Sequence, residues 1–310
     1  MEILTHREIE SKETLLPLMD NAFGWPFNPR MYERLVKIDP RLKNSPVGFC
    51  AVENGRAIGY VGVMDLATRT LNGNPEYVGG IYGVATLPSH ARKGISTALM
   101  NRVHEHFRER NYRFSFLCTS HTLVAYTMYQ NLGYTDLLER PSVYKVLNQK
   151  KVKAAVKQRK GKLDFDRLLK IYSEFVKDKT GLVVRDKAYL TMLKKTGYFS
   201  GKDCIIEEDG YVIFRSNWGG TWTKATWIRE LIALNAKQMD RLVGFVEAKA
   251  TDLIMDRDVL DKALLQVYKS RGYMIEKRSH VVIMVKPLTA DASFKKTYGD
   301  KFYLTDLDFF

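Results

Sequence analysis

The sequence predicts an α+β fold with α/β-like layers, built as two tandem copies, each a mixed, mostly antiparallel sheet flanked by helices. Three observations lead there. The segment Val84-Ala-Thr-Leu-Pro-Ser-His-Ala-Arg-Lys-Gly-Ile-Ser-Thr-Ala-Leu-Met100 reads as a strand, a tight basic turn and a helix. The order of elements in the first half recurs in the second. The length, 310 residues, is enough for two domains that each bury a core.

Along the chain, Met1-Glu-Ile-Leu-Thr-His-Arg-Glu begins a strand-like run with acidic residues, unlike a signal or transit peptide. Next, Asn21-Ala-Phe-Gly-Trp-Pro-Phe-Asn-Pro29 joins two helical runs and carries Phe23, Trp25 and Phe27. These aromatics either line an amphipathic acceptor pocket or cap the core, and both readings stand. A strand spans 77–86. Its Gly79-Gly-Ile-Tyr-Gly83 lacks Gly-x-Gly-x-x-Gly spacing before a helix, which argues against a dinucleotide site. At the basic turn, free N–H groups converge where the helix begins, and with the helix dipole they favour an anion such as a diphosphate. Gly94 lets backbone approach a phosphate, and Arg92 and Lys93 add positive charge.

The helix over 96–110 presents Leu99, Val103 and Phe107 on one face. A strand, Phe114-Ser-Phe-Leu-Cys-Thr119, leads to a short helix carrying Ala125, Met128 and Tyr129. It ends in Gln130-Asn-Leu-Gly-Tyr134, with Gly133 suited to a C-terminal cap. A strand over 142–147 precedes the basic run 149–162, which lacks the interleaved aromatics of a base-stacking surface and reads as a solvated linker. Beyond it, Ala263-Leu-Leu-Gln-Val-Tyr-Lys-Ser-Arg-Gly-Tyr273 repeats the Tyr-x-x-x-Gly-Tyr ending, preceded by strands near 208–210 and over 226–234, a helix 236–250 and a strand 251–255. An apolar strand follows each copy, 142–147 in one and 280–285 in the other. The expected domains are therefore 1–148, the linker 149–162, a second domain 163–290 and a tail 291–310.

Composition bounds the function. Hydrophobic residues at 45% and charged residues at 27% suit a globular protein, and no apolar run approaches the ~18 residues of a membrane span. Cys50, Cys118 and Cys204 are far apart and read as buried thiols of a cytoplasmic protein. With no Cys-x-x-Cys or His-x-x-x-His pair, and with His104 and His106 two apart on a helix, no metal is expected. The net charge of +14 suits a ligand carrying several phosphates.

Strand, phosphate turn, helix, strand and a helix ending in Tyr-x-x-x-Gly-Tyr is an order that resembles GNAT acyl-CoA N-acyltransferases over residues 1–148. Of that family's Gln/Arg-x-x-Gly-x-Gly/Ala turn, Ala91-Arg-Lys-Gly-Ile-Ser96 keeps the central glycine. The duplication, and Ile171-Tyr-Ser-Glu-Phe-Val-Lys-Asp-Lys-Thr-Gly-Leu-Val-Val-Arg-Asp186, are similar to the Eis-type (enhanced intracellular survival) acetyltransferases, an active GNAT domain followed by a degenerate one. Many of those add a sterol-carrier-like third domain, for which this chain is too short.

The resemblance implies acetyl-CoA as co-substrate and direct acetyl transfer to a primary amine of a small molecule or peptide. It assigns CoA to Val84, Ala85, Thr86, Arg92, Lys93, Gly94, Ile95, Ser96 and Thr97, with a backbone N–H near Val84 or Thr86 polarising the carbonyl. Tyr129 matches the tyrosine that protonates the leaving thiolate. The base stays open among Glu76, Asp65, His121 and the terminal carboxylate of Phe310, since Eis-type enzymes bring their C-terminus to the active site.

In the second copy Asn235-Ala-Lys-Gln-Met-Asp240 has no glycine at the turn and adds a negative charge, so that copy is expected not to bind CoA. It is expected to support the first copy and wall the acceptor site, with Trp218, Trp222 and Trp227 either completing that wall or packing on a β-hairpin, and with Tyr268 as a packing residue. Alternatives are a tandem-GNAT acyltransferase of the mycothiol synthase type and a non-catalytic CoA-sensing or RNA-binding module. Monomer and homo-oligomer are both compatible with the sequence.

Overall fold

The computed structural model describes residues 1–24, 27–138, 140–147, 163–218, 224–278 and 280–308. Trp25, Trp222, Phe310 and the linker 149–162 lie outside the described residues, as does the side chain of Trp218. The chain divides into two compact units, one of Met1–Leu138 with Val281–Asp300, the other within 139–280 and 301–309.

The first unit opens with strand β1 (Glu2–Thr5) and helices α1 (Leu16–Phe23) and α2 (Pro29–Ile38). Asn28 starts α2 by accepting the Met31 N–H at 3.0 Å. Strands β2 (Gly48–Glu53), β3 (Arg56–Arg69) and β4 (Pro75–Thr86) follow, then α3 (Ile95–Glu109), β5 (Phe114–Thr119), α4 (Val124–Asn131) and β6 (Thr135–Leu138). Next in the chain, β7 (Ser142–Val146) belongs to the second unit, with α5 (Phe165–Phe175), β8 (Thr180–Gly181), α6 (Lys187–Lys195), β9 (Cys204–Ile206) and β10 (Gly210–Trp218). That unit continues through β11 (Ala225–Ala233), α7 (Ala236–Lys249), β12 (Leu253–Asp256), α8 (Lys262–Ser270) and β13 (Met274–Glu276). The chain then returns β14 (Val282–Pro287) and α9 (Phe294–Tyr298) to the first unit and ends with β15 (Phe302–Tyr303), which pairs with β8.

The main path of the first sheet runs β1-β2-β3-β4-β5-β14-β6, with β4 and β5 parallel. On one face α3 packs Ile95, Leu99, Val103 and Phe107, each buried, against Phe49, Val61, Val63 and Ile81 of the sheet. Gly79 serves this packing: a Cβ there would stand 2.3 Å from the Phe107 ring. On the other face Leu18 and Met19 of α1, with Leu15 and Phe27, cover Cys50, Tyr60 and Ala85.

The second sheet runs β13-β7-β12-β11-β10-β9, with β11 and β12 parallel. Helix α7 buries Met239, Leu242, Val243 and Val246 against it, together with Tyr268 of α8 and Val143 of β7. Of the expected tail 291–310, residues 291–300 belong to the first unit and 301–308 fold into this one. Arg185, fully buried, donates to Asp308 at 2.9 and 2.8 Å, to Glu230 at 3.0 Å and to Thr305 at 2.7 Å. Arg229 donates to Asp306 at 2.6 Å.

The two copies thus exchange their last strands. The expected boundaries at 148 and 290 kept 142–147 with the first half and 280–285 with the second. Instead β7 pairs with β12 and β13, and β14 inserts between β5 and β6. Alternation of apolar residues sets which faces a strand shows, not which neighbour it takes, and two copies of one plan offer each strand two matching slots. The crossing is pinned by Arg140, which is 1% exposed and paired with Asp258 at 2.8 Å, and by the Val259 N–H donating to the Pro141 carbonyl.

Candidate active site

Of the sequence-predicted residues, Val84, Ile95 and Tyr129 pack in one cluster, and Thr86 meets Ser96, near where β4 and β5 part. Their parallel register runs only from Gly79 opposite Ser115 to Ile81 opposite Leu117, although β4 continues to Thr86 and β5 to Thr119. On its other edge β4 bulges. The register with β3 shifts between Tyr60 opposite Ala85 and Gly62 opposite Tyr82, so Gly83 and Val84 stand against Val61 alone. Gly83 takes φ +58°, a left-handed conformation that glycine adopts without a Cβ penalty. Residues 82–86 therefore have no pair on β5, and Gly83 and Val84 have none on β3 either, at the place assigned to the acyl carbonyl.

Below this gap, a single 3-10 turn (Pro88–His90) leads to the start of α3. Arg92 has φ +61° and Gly94 φ +76°, and a Cβ on Gly94 would meet nothing within 4 Å. No side chain caps α3, and the Ala98 N–H is the first to bond back, to Gly94 at 2.9 Å. The N–H groups of Ile95, Ser96 and Thr97 precede that bond, beside the exposed side chains of Arg92 and Lys93. Ser96, which departs from the family's small residue, has a structural partner: its hydroxyl lies 2.7 Å from that of Thr86 and ties the helix start to the end of β4.

Tyr129 joins the same apolar cluster as Ile95 and Leu99, with Val84, Ala125 and Met128 packed against it. It is 5% exposed, and burial pushes its phenol up to about 12, the nearby Cys118 adding to the rise. Helix α4 is set by its ending: Tyr134 N–H bonds the Tyr129 carbonyl at 3.0 Å, Gly133 has φ +87°, and Lys286 of β14 donates to the Leu132 carbonyl at 2.5 Å. Of the acceptor-side aromatics, Phe27 is buried 5.2 Å from the Tyr32 ring, whereas Phe23 is 39% exposed.

The candidate bases separate. Glu76 takes both oxygens to Arg113, at 2.8 and 2.7 Å, and Asp65 accepts from Arg110 at 3.3 Å. Both stand beside the paired half of β4, since Glu76 lies opposite Thr68 and Asp65 opposite Gly79. His121 bonds Asp136 of β6 at 2.7 Å and meets the Tyr126 ring edge-on at 4.7 Å.

The second unit repeats the scaffold and closes these features. Its α7 is capped by Asn235, which accepts the Gln238 N–H at 2.9 Å. Tyr268, the counterpart of Tyr129, donates to Asp256 at 2.9 Å, and burial raises that carboxyl to about 7. The Tyr273 N–H to Tyr268 carbonyl bond, 3.0 Å, reproduces the ending of α4. Among the described residues no cluster of metal-ligating side chains occurs, and no helix is long and apolar enough to cross a membrane.

Sequence reasoning missed the Thr86–Ser96 bond, the Asn235 cap and a cluster of three phenols, Tyr32, Tyr60 and Tyr82, which lie on separate elements. Only the cap had a local signal, an Asn immediately before a helical run.

A family model described as an acetyltransferase (GNAT) domain matches residues 7–136. No curated protein matches the chain significantly. Among solved structures, a GCN5-related N-acetyltransferase from Kribbella flavida is similar at 18% identity and TM-score 0.68, over 93% of this chain and 72% of that one. One from Anabaena variabilis is similar at 14% identity and TM-score 0.65, over 93% and 73%. Eis1 from Mycobacterium abscessus is similar at 18% identity and TM-score 0.56, over 86% and 72%. At these identities the likeness shows the fold, and it extends over both units. Residues 7–136 of the first unit thus match an acetyltransferase (GNAT) domain, and the fold shared with the solved N-acetyltransferases extends over the second unit.

Proposed function

We propose that the chain transfers an acetyl group from acetyl-CoA directly to a primary amine of a small molecule or peptide, at one site in the first unit. One observation carries this reading: of two helix starts built on the same plan, α3 has no side-chain cap below a gap beside Tyr129, whereas α7 is capped by Asn235. Acetyl-CoA supplies a thioester whose acyl carbon an amine can attack with loss of the thiolate.

The N–H groups of residues 92–97 and the charges of Arg92 and Lys93 hold the diphosphate. Val84, Ala85 and Thr86 offer backbone N–H groups to the acyl oxygen, and fixed donors there act without reorganising. Tyr129 gives its proton to the departing sulfur, a role that suits a phenol held neutral by burial. Glu76 and Asp65 are committed to arginines, which leaves His121 and the carboxylate of Phe310 for the ammonium proton.

The test is release of CoA thiol from acetyl-CoA with a panel of simple amines, aminoglycosides, peptides and cysteinyl-glycosides. Turnover with an amine supports the reading. Turnover confined to cysteinyl-glycosides replaces it with the mycothiol synthase type, and absence of acetyl-CoA binding overturns it.

A further inference from the structure

The stretch of β4 that would face the acyl oxygen is open on its β5 edge, and its bulge at Gly83 and Val84 is unpaired on β3 as well, yet it must hold its N–H groups in place for them to be of use. What holds it is a cluster of three buried phenols on the face opposite α3. Tyr82 is the first residue of β4 beyond the last pair with β5, and its hydroxyl donates to the Val47 carbonyl at 2.7 Å. The hydroxyl of Tyr60 of β3 lies 3.2 Å from the same oxygen. A carbonyl can only accept, so Tyr82, at the shorter distance, gives its proton to it, while Tyr60 lies within reach of both this carbonyl and the Tyr32 oxygen. Tyr32 of α2 then donates its own, and the nearer oxygen is that of Tyr82, at 2.6 Å against 3.0 Å to Tyr60.

The receiving carbonyl is itself fixed. Val47 is fully buried with φ +70°, a costly conformation for a β-branched residue. Its N–H bonds the Ser45 hydroxyl at 3.0 Å, and its carbonyl also accepts the Val63 N–H at 3.0 Å. Two glycines make room for the rings. A Cβ on Gly48 would stand 2.6 Å from the Tyr60 ring, and one on Gly62 would stand 2.5 Å from the Tyr82 ring. Burial holds Tyr60 and Tyr82 well above the ordinary phenol value and Tyr32 at about 12, so the cluster is neutral and takes no proton from the acceptor.

We propose that Tyr82 is a positioning residue for acyl transfer: its hydroxyl, anchored on the Val47 carbonyl and backed by Tyr32, sets the backbone N–H groups of the adjoining bulge at the acyl oxygen. This rests on the acetyl-CoA reading above. A donor displaced by a fraction of an ångström stabilises the developing charge less while leaving the remote diphosphate contacts intact, so the loss falls on kcat rather than on KM.

The experiment is steady-state kinetics of the full chain with acetyl-CoA and the amine found active in the panel. It compares wild type, Tyr82→Phe and Tyr298→Phe, the last losing a buried phenol bond to Thr68 elsewhere in the same unit. The expected result for Tyr82→Phe is a kcat lower by about tenfold with KM for acetyl-CoA within about twofold, while Tyr298→Phe lowers Tm without that kcat loss. Should Tyr82→Phe not fold, Tyr32→Phe carries the test, with a kcat loss of about threefold at unchanged KM. Wild-type kcat in the folded variant, or a loss equal to that of Tyr298→Phe, overturns the inference alone. A wild type that neither binds acetyl-CoA nor acetylates any amine overturns the functional reading, and the inference with it.

Discussion

Burial does two things at Tyr129. It fixes the ring against Val84 and Ile95, and by raising the phenol to about 12 it keeps the proton in place through the pH range of any assay. An acid whose pKa is raised stays protonated up to that value, so kcat should show no fall between pH 7 and 10 from ionisation of this group. Tyr129→Phe should lower kcat by about 100-fold, within the range of general acid catalysis, with acetyl-CoA affinity changed by less than about threefold. Pre-steady-state CoA release and equilibrium titration check the two halves of that statement. The start of α3 after Gly94 and the end of α4 beyond Tyr129 were legible in the sequence because a helix start and a helix end are local patterns. Tyr82 was not, because its partners Val47, Tyr32 and Tyr60 are 22 to 50 residues away and a tyrosine in a strand looks like any strand former.

Among the elements, the helices of both copies read correctly from their periodicity and their Gly-Tyr endings, while the pairing of the last strands did not. Exchange of β7 and β14 makes each sheet depend on a strand encoded outside its own half. A fragment of residues 1–148 would leave β5 and β6 without β14, with Leu132 deprived of the Lys286 contact, and should show no cooperative thermal transition. A cooperative melt of that fragment by circular dichroism would contradict the exchange.

In the second sheet, burial raises Asp256 to about 7 and Asp306, against its Arg229 partner, to about 6. The native state there holds protons that the unfolded chain has released, so these groups favour folding at low pH and lose that contribution as pH rises from about 4 to about 7. Asp256→Asn keeps an acceptor for Tyr268 and removes one ionisation. Its Tm should fall less than that of wild type between pH 5 and 8, which a scanning-calorimetry series would measure.

For the whole molecule, duplication with divergence explains how a chain of 310 residues carries two copies of one fold and one candidate acyl-CoA site. The duplication was legible because the Tyr-x-x-x-Gly-Tyr endings and their flanks survive. The difference between the two helix starts was legible in part, from the missing glycine. The remainder, an Asn235 cap on α7 and a Tyr268–Asp256 bond, is tertiary or depends on where the helix starts. The identity of the acceptor left no pattern, since Phe23 and Phe27 sit differently against solvent and no motif ties them together. The most direct test is calorimetric titration of acetyl-CoA into the full chain and into Gly94→Glu. The account predicts one site per chain in the wild type and a loss of affinity of at least about 100-fold in the variant, whose side chain brings a like charge to the phosphate turn. Two sites per chain, or unchanged affinity in Gly94→Glu, would contradict it.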